Sequence, residues 1–166
     1  MRGHVSSELP VDAPAADVWA VYTSCTEFRN ILLGMMHNYF KEIEIIEGGG
    51  GEVGSVYRLV ITSGLGLASE PSTVKNKVTK IDHDNRRMVL QQIEGGFLDL
   101  GFNLYEDIFK VIEISDNLSI IRSTVVFEID DKFEATAALV NCMFTQQIAR
   151  VVAKYVLEQN AEEYDT

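Results

Sequence analysis

Between Asn38 and Ile129 the chain is a succession of strand-like runs, most of them separated by turns too short to hold a crossover helix. The runs are YFKEIEII, SVYRLVIT, STVKNKVTKI, MVLQQI, FNLYEDIFKVIEI and LSIIRSTVVFEID. Between them stand the turn strings EGGGGEVG, DHDNR, EGGFLDLG and SDN. Parallel neighbours need a connection of about a dozen residues or more, so strands joined this tightly pair antiparallel. With the opening run SSELPVD they make about seven strands. A sheet of that size cannot close its inner face on itself, and something else in the chain must cover it.

The cover is at the end of the sequence. From Lys132 to Gln159, residues Phe133, Ala137, Val140, Phe144, Ile148, Val151 and Tyr155 recur at steps of three and four, an apolar stripe on one long helix. Asp130 or Asp131 is placed to cap its start. Near the beginning, Asp12 reads as the cap of a helix over Ala15–Tyr22 with Pro14 in its first turn. A second short helix follows TSCT, with Phe28, Ile31 and Leu32 on one side. The expected fold is α+β: a seven-stranded curved antiparallel sheet wrapped around a long C-terminal helix, two short helices closing one end. Residues 1–160 are expected to form one ligand-binding domain, and 161–166 an acidic flexible tail. A helix laid across a strongly curved sheet leaves space between them, and that space suits a small-molecule pocket.

The four consecutive glycines of 47-EGGGGEVGS-55 raise the question of a phosphate cradle. A P-loop needs a lysine after its last glycine and a helix beginning at once, and a dinucleotide fingerprint needs the helix too. Here Ser55 and Val56 follow Gly54 and a strand begins. The run reads as a hairpin loop that uses glycine for positive φ angles.

A formal charge of −11 with no basic run repels phosphate backbones and acidic lipid surfaces. No nucleic acid and no membrane is therefore expected as a partner. The first residues, MRGHVSSELP, hold no apolar signal region, and no stretch approaches about 18 apolar residues. Cys25 and Cys142 lack metal or redox spacing and read as reduced thiols of a cytoplasmic protein. His4, His37 and His83 make no i, i+4 ligand pair, so no metal is expected, and no cofactor.

The chemistry-bearing strand is FNLYEDIFKVI. Asn103, Tyr105, Asp107, Phe109 and Val111 share one of its faces, and a carboxylate buried between Tyr105 and Phe109 would have its pKa raised, as suits a general acid or base. An aspartate at the sheet edge, in water or bonded to Tyr105 or Asn103, is the alternative. The rest of the candidate wall is poor in chemical groups. It comprises Tyr57, Leu59 and Ile61; Val74, Asn76 and Val78; Met88, Leu90 and Gln92; and Phe144 and Ile148 of the helix. Tyr57 is either a packing tyrosine or a hydrogen-bond donor to a ligand. Lys75, Lys77, Arg86 and Arg87 read as a solvated face. The segment 62-TSGLGLASEP-71 is a candidate gate at the pocket mouth.

Several strings, in order over nearly the whole chain, carry a resemblance: 2-RGHVSSELPVDAPAADVWAVYTS-24, 40-FKEIEIIEG-48, 53-VGSVY-57, 81-IDHDNR-86, 93-IEGGFLDLGFNLYED-107 and 154-KYVLEQ-159. The chain resembles the plant Bet v 1 / pathogenesis-related class 10 family, and within it the norcoclaurine synthase and norbelladine synthase branch. The resemblance implies the helix-grip fold with a hydrophobic cavity, and a chemistry that joins an arylethylamine to an aldehyde through an iminium. It also implies a site of tyrosine, glutamate, lysine and aspartate. Counted from the ID and EGG anchors, the aspartate position is Asp107, while Val74, Asn76 and Met88 stand at the other three. Without the base and the ammonium, norcoclaurine synthesis by the family mechanism is not expected.

Three function classes follow. One is a carrier or receptor for a small hydrophobic or aromatic plant metabolite, oriented by Asp107, Asn76 and Tyr105. Another is a cofactor-independent enzyme of alkaloid or phenolic metabolism, a cyclase, isomerase or amine–aldehyde condensing enzyme, with Asp107 as its acid/base. The third is a defence protein defined by interaction, ribonuclease activity included, and the charge argues against RNA. A monomer or weak homodimer is expected.

Overall fold

The computed structural model describes residues 1–62 and 71–165. The gate proposed at 62–71 falls largely outside them. The strands are β1 (Arg2–Val11), β2 (Phe40–Glu47), β3 (Val56–Ile61), β4 (Ser72–Asp82), β5 (Arg87–Glu94), β6 (Phe102–Ser115) and β7 (Leu118–Ile129). The helices are α1 (Ala15–Thr23), α2 (Cys25–Met35) and α3 (Met143–Asp165). All seven strands form one sheet in the order β1-β7-β6-β5-β4-β3-β2, and every pairing is antiparallel. The long β1, starting at Arg2 rather than Ser6, closes the order by pairing with β7, Arg2 opposite Glu128.

β7 has the clearest pattern. Ser119, Ile121, Ser123, Val125, Phe127 and Ile129 are buried in strict alternation and form the floor beneath α3. Other strands alternate imperfectly because the register slips between β2 and β3, β4 and β5, and β6 and β7. Each extra residue bends its strand and tightens the local twist, which curves the sheet. In the glycine run, Gly48, Gly50 and Gly54 have φ of 74°, 95° and 95°, the turn conformation expected between β2 and β3. The main core lies between the inner face and all three helices, where Val18, Ile121 and Val152 are essentially sealed from solvent. A smaller cluster at the other end holds Phe102, Tyr105, Val125, Phe127, Ile129 and Val140.

The helix expected over Lys132–Gln159 is divided. A 3-10 segment covers Asp131–Leu139, Val140 is extended at φ −75° and ψ 125°, and α3 begins only at Met143. Asn141 Oδ1 accepts from Met143 N at 2.9 Å, a local bond that favours a new start over continuation. The stripe divides with it. Phe144, Ile148, Val151 and Tyr155 face the core from α3, Val140 joins the smaller cluster, and Phe133 is 41% exposed. Asp130 holds the N-cap position of the 3-10 segment without a side-chain capping bond, and its carboxylate accepts from Asn103 Nδ2 at 3.4 Å. Asp131 pairs instead with the Met1 ammonium at 3.0 Å. At the far end α3 continues to Asp165, so the backbone is helical where the flexible tail was expected.

Asp12 does not cap α1. The chain turns at Ala13, whose N–H donates to Val11 O, and Pro14 occupies the N-cap position directly before the first helical residue. Ser24 ends α1 and starts α2 at once: its N–H donates to Ala20 O at 3.0 Å and its Oγ accepts from Glu27 N at 3.3 Å. The Ser-Cys-Thr-Glu spacing is a capping-box pattern, one that attention to strand patterning overlooks. Ser24→Ala is expected to cost about 1 kcal/mol of stability, read as a lower denaturation midpoint at unchanged slope. No helix among the described residues is long and apolar enough to cross a membrane.

Candidate ligand-binding cavity

Antiparallel pairing places directly opposed residues on the same face, so register alone writes out the inner wall. One row crosses Val78, Leu90, Asp107 and Val125 on β4, β5, β6 and β7. Tyr57 lies opposite Asn76, Asn76 opposite Gln92, Leu59 opposite Val74, and Met88 opposite Phe109. Ile61 stands between Phe40 and Ser72. Tyr105 precedes Asp107 by two on the same face of β6, and α3 adds Phe144 and Ile148. Tyr57, Leu59, Ile61, Val74, Asn76, Val78, Met88, Leu90, Gln92, Tyr105, Asp107, Phe109, Phe144 and Ile148 line one cavity of about 120 Å³; Val111 does not, and the register shift between Phe102 and Leu104 leaves Asn103 exposed. A cavity on the order of 150 Å³ accepts one benzene ring, which sets the scale of an occupant.

Asp107 is the chemical centre of this wall. Oδ1 is buried without a hydrogen-bond partner among the described residues. The residue keeps some accessible surface only because it faces the cavity. Burial raises its pKa from the ordinary 3.8 to about 7, and desolvation is the cause. No cation balances it: Arg29 is the other charged residue along the described lining, and it is exposed on α2. The alternative of a water-bathed edge aspartate is therefore not what the fold builds. Asn103 turns to Asp130 instead.

The remaining polar groups are mostly engaged. The Tyr57 hydroxyl donates to Gly50 O, which ties the glycine loop to the wall. Gln92 Oε1 accepts from Phe97 N at 2.7 Å and anchors a 3-10 turn, Gly96–Leu100, where a plain turn was expected. That turn stacks Phe97 on Tyr105 with ring centres 4.1 Å apart and planes within 7°. Lys75 lies outside the cavity, paired with Glu94 at 2.7 Å, and Lys77 is exposed. Trp19 Nε1 donates to His83 Nδ1 at 3.1 Å, linking α1 to the turn between β4 and β5. Among the described residues no His, Cys, Asp and Glu cluster could hold a metal, and Cys25 and Cys142 are unbridged.

Strand patterning alone does not reveal the helical and turn contributions. Tyr22, Phe28 and Leu32 close the cavity from α1 and α2, Phe97 from the 3-10 turn, and Phe40 and Ile43 from β2. The spacing of Phe28 and Leu32 marks one helix face, but no local signal says that the face meets a cavity.

Comparison with known proteins agrees with this geometry. Residues 1–159 match the model of the Pathogenesis-related protein Bet v 1 family. Norbelladine synthase of Narcissus pseudonarcissus is 32% identical over 161 residues, 97% of this chain and 96% of that protein. S-norcoclaurine synthase 2 of Papaver somniferum is 29% identical over 98% of this chain and 68% of its own length. Among solved structures, a norcoclaurine synthase point mutant of Thalictrum flavum with a transition-state analogue superimposes with a TM-score of 0.85. It is 28% identical, covering 96% of this chain and 97% of that one. The same plant's enzyme in complex with dopamine and hydroxybenzaldehyde gives 0.83 at 28% identity, over 95% and 88% of the two chains. With its fold, its cavity and a family match over nearly its whole length, this chain belongs to the Bet v 1 family of pathogenesis-related proteins.

Proposed function

We propose that this protein binds a small aromatic metabolite in the cavity, with Asp107 as the ionisable group that orients it. The observation that carries this reading is the isolation of Asp107: a carboxyl whose Oδ1 is buried without a partner among the described residues, on the wall of an otherwise largely apolar, ring-sized space. A buried polar group without a partner costs stability, and a ligand donor or cation would recover it. The relatives support an aromatic amine or aldehyde as the ligand class, since one of their structures holds dopamine and hydroxybenzaldehyde. Val74, Asn76 and Met88, which we place at the tyrosine, glutamate and lysine positions of the family site, offer neither a base nor an ammonium. Ring closure by the family mechanism is accordingly not expected.

The raised pKa of Asp107 supports a second reading, amine–aldehyde condensation without cyclisation, in which the cavity encloses the ring of one partner only and the other partner approaches from outside it. The amine adds to the carbonyl carbon to give a carbinolamine. Protonated Asp107 then donates to the departing hydroxyl, water leaves, and the imine forms. The nitrogen proton released on the way restores Asp107. A group that titrates near the working pH can give and take that proton in turn.

The test incubates wild type and Asp107→Asn with dopamine and hydroxybenzaldehyde, following equilibrium dialysis and product mass. Saturable binding of unchanged compounds by wild type supports the carrier reading. Imine formed by wild type above the uncatalysed rate, and lost in Asp107→Asn, supports the condensing enzyme. Neither binding nor product would overturn both.

A further inference from the structure

We propose that the outer edge of β1 is a self-association surface, on which a second copy of this chain pairs its own β1 antiparallel about a two-fold axis at Val5. The inference depends neither on the cavity nor on Asp107.

β1 ends the sheet, and among the described residues nothing pairs with its outer edge. Which backbone groups face that edge follows from the start of the ladder. Met1 N donates to Ile129 O at 2.7 Å and Ile129 N donates to Met1 O at 2.9 Å, the mutual exchange of a hydrogen-bonded pair. Such pairs recur at every second residue, and the register runs without a shift from Arg2 opposite Glu128 to Val11 opposite Ser119. The odd-numbered residues therefore bond to β7. Arg2, His4, Ser6 and Glu8 turn their N–H and C=O groups to the open edge, and all four residues are exposed.

Edge strands are ordinarily protected against such pairing by charge, bulges or proline. The opposite edge of this sheet is protected: β2 has two register shifts and carries Glu42, Glu44 and Glu47. β1 has no shift and no lysine, its one proline, Pro10, stands near its end, and its carboxylate and guanidinium are of opposite sign.

Only the even-numbered residues can bond across the edge, which leaves few registers. With the two-fold axis at Val5, Arg2 lies opposite Glu8 of the second copy and His4 opposite Ser6, and every outward N–H and C=O from Arg2 to Glu8 has a partner. Sliding by two residues one way leaves Glu8 unpaired, and the other way sets Arg2 against Pro10, which has no N–H. Within each copy Arg2 already pairs with Glu128 at 3.0 Å and Glu8 with Arg122 at 2.9 Å. Self-pairing joins these into a row of alternating sign across four strands, Glu128, Arg2, Glu8 and Arg122, which the two-fold axis repeats. The charge of −11 on each copy opposes association, but physiological salt screens that repulsion beyond about 8 Å, whereas directly opposed side chains stand about 5 Å apart.

The experiment is sedimentation velocity over a concentration series in about 0.15 M salt. Wild type should pass from monomer to dimer as concentration rises. Arg2→Glu and Glu8→Arg each set like charges opposite one another at both ends of the interface, and each should weaken association roughly 10-fold. An equimolar mixture of the two variants should dimerise about as well as wild type, because the mixed pair restores opposite charges at both ends. A fault within the monomer would not be mended by mixing. In wild type, amide exchange of His4 and Ser6 should slow as the protein is concentrated. Both variants should bind cavity ligands as wild type does. A wild type that stays monomeric throughout the series, or a mixture no tighter than its components, would overturn the proposal and leave the cavity reading untouched.

Discussion

Asp107→Asn is expected to make the protein more stable above pH 7 and worse at holding an amine ligand. The sign follows from the raised pKa of about 7 against an ordinary 3.8. Below pH 4 the carboxyl is protonated in both folded and unfolded chains and contributes no difference. Between about pH 4 and 7 the folded protein keeps a proton that the unfolded chain has lost, so stability falls as pH rises through this window. Above pH 7 the full penalty of burying the charge is present, about 4 kcal/mol. Asparagine does not titrate. The stability gap between variant and wild type should therefore widen by several kcal/mol from pH 4 to pH 8, as read by urea denaturation at a series of pH values. A gap that stays constant with pH would mean that Asp107 is solvated, and the site reading would lose its foundation.

Binding moves the other way. An ammonium ligand is held best by the ionised carboxylate, so wild-type affinity should rise with pH through about 7. Asp107→Asn should lose roughly 10- to 100-fold and show no such rise. A group whose removal stabilises the fold and impairs the site is one maintained for function at the expense of stability.

Gly95→Ala is expected to be the most damaging single-methyl change near the cavity. Gly95 has φ +77°, and an added Cβ would run into the Thr73 carbonyl oxygen on the neighbouring strand β4. Backbone strain and overpacking together should cost about 3 to 5 kcal/mol, a fall in melting temperature of roughly 10 °C. The effect should reach the site, because Gly95 opens the 3-10 turn that stacks Phe97 on Tyr105. Gly34→Ala in α2 is the matched control: nothing lies within 4 Å of its added Cβ. That substitution should leave stability unchanged or raise it by up to about 1 kcal/mol. Equal melting temperatures for the two variants would show that Gly95 is not under the constraint described.

Side-chain direction along a strand is legible in the sequence between bulges, because there it follows from a period of two. This is why Tyr57, Leu59 and Ile61, Val74, Asn76 and Val78, Met88 and Leu90, and Tyr105, Asp107 and Phe109 all reach the same cavity. Short turns likewise determine the antiparallel order from β4 to β7, and the glycine run declares itself a hairpin by what it lacks. The helix break at Val140 is not legible. Apolar residues spaced by three and four fit a 3-10 segment, an extended joint and an α-helix in succession almost as well as one continuous helix.

Isolation is the property that only the tertiary structure decides. That Asp107 faces Leu90 and Val125 across the ladder, and that Tyr22 is locked by Phe109 and Phe28, depends on elements far apart in the chain. A sequence determines which face a side chain takes through the local geometry of its own backbone. Whether that side chain is then left without water, counter-charge or partner depends on what the other elements bring to it, and this is what the packing of the whole fold supplies.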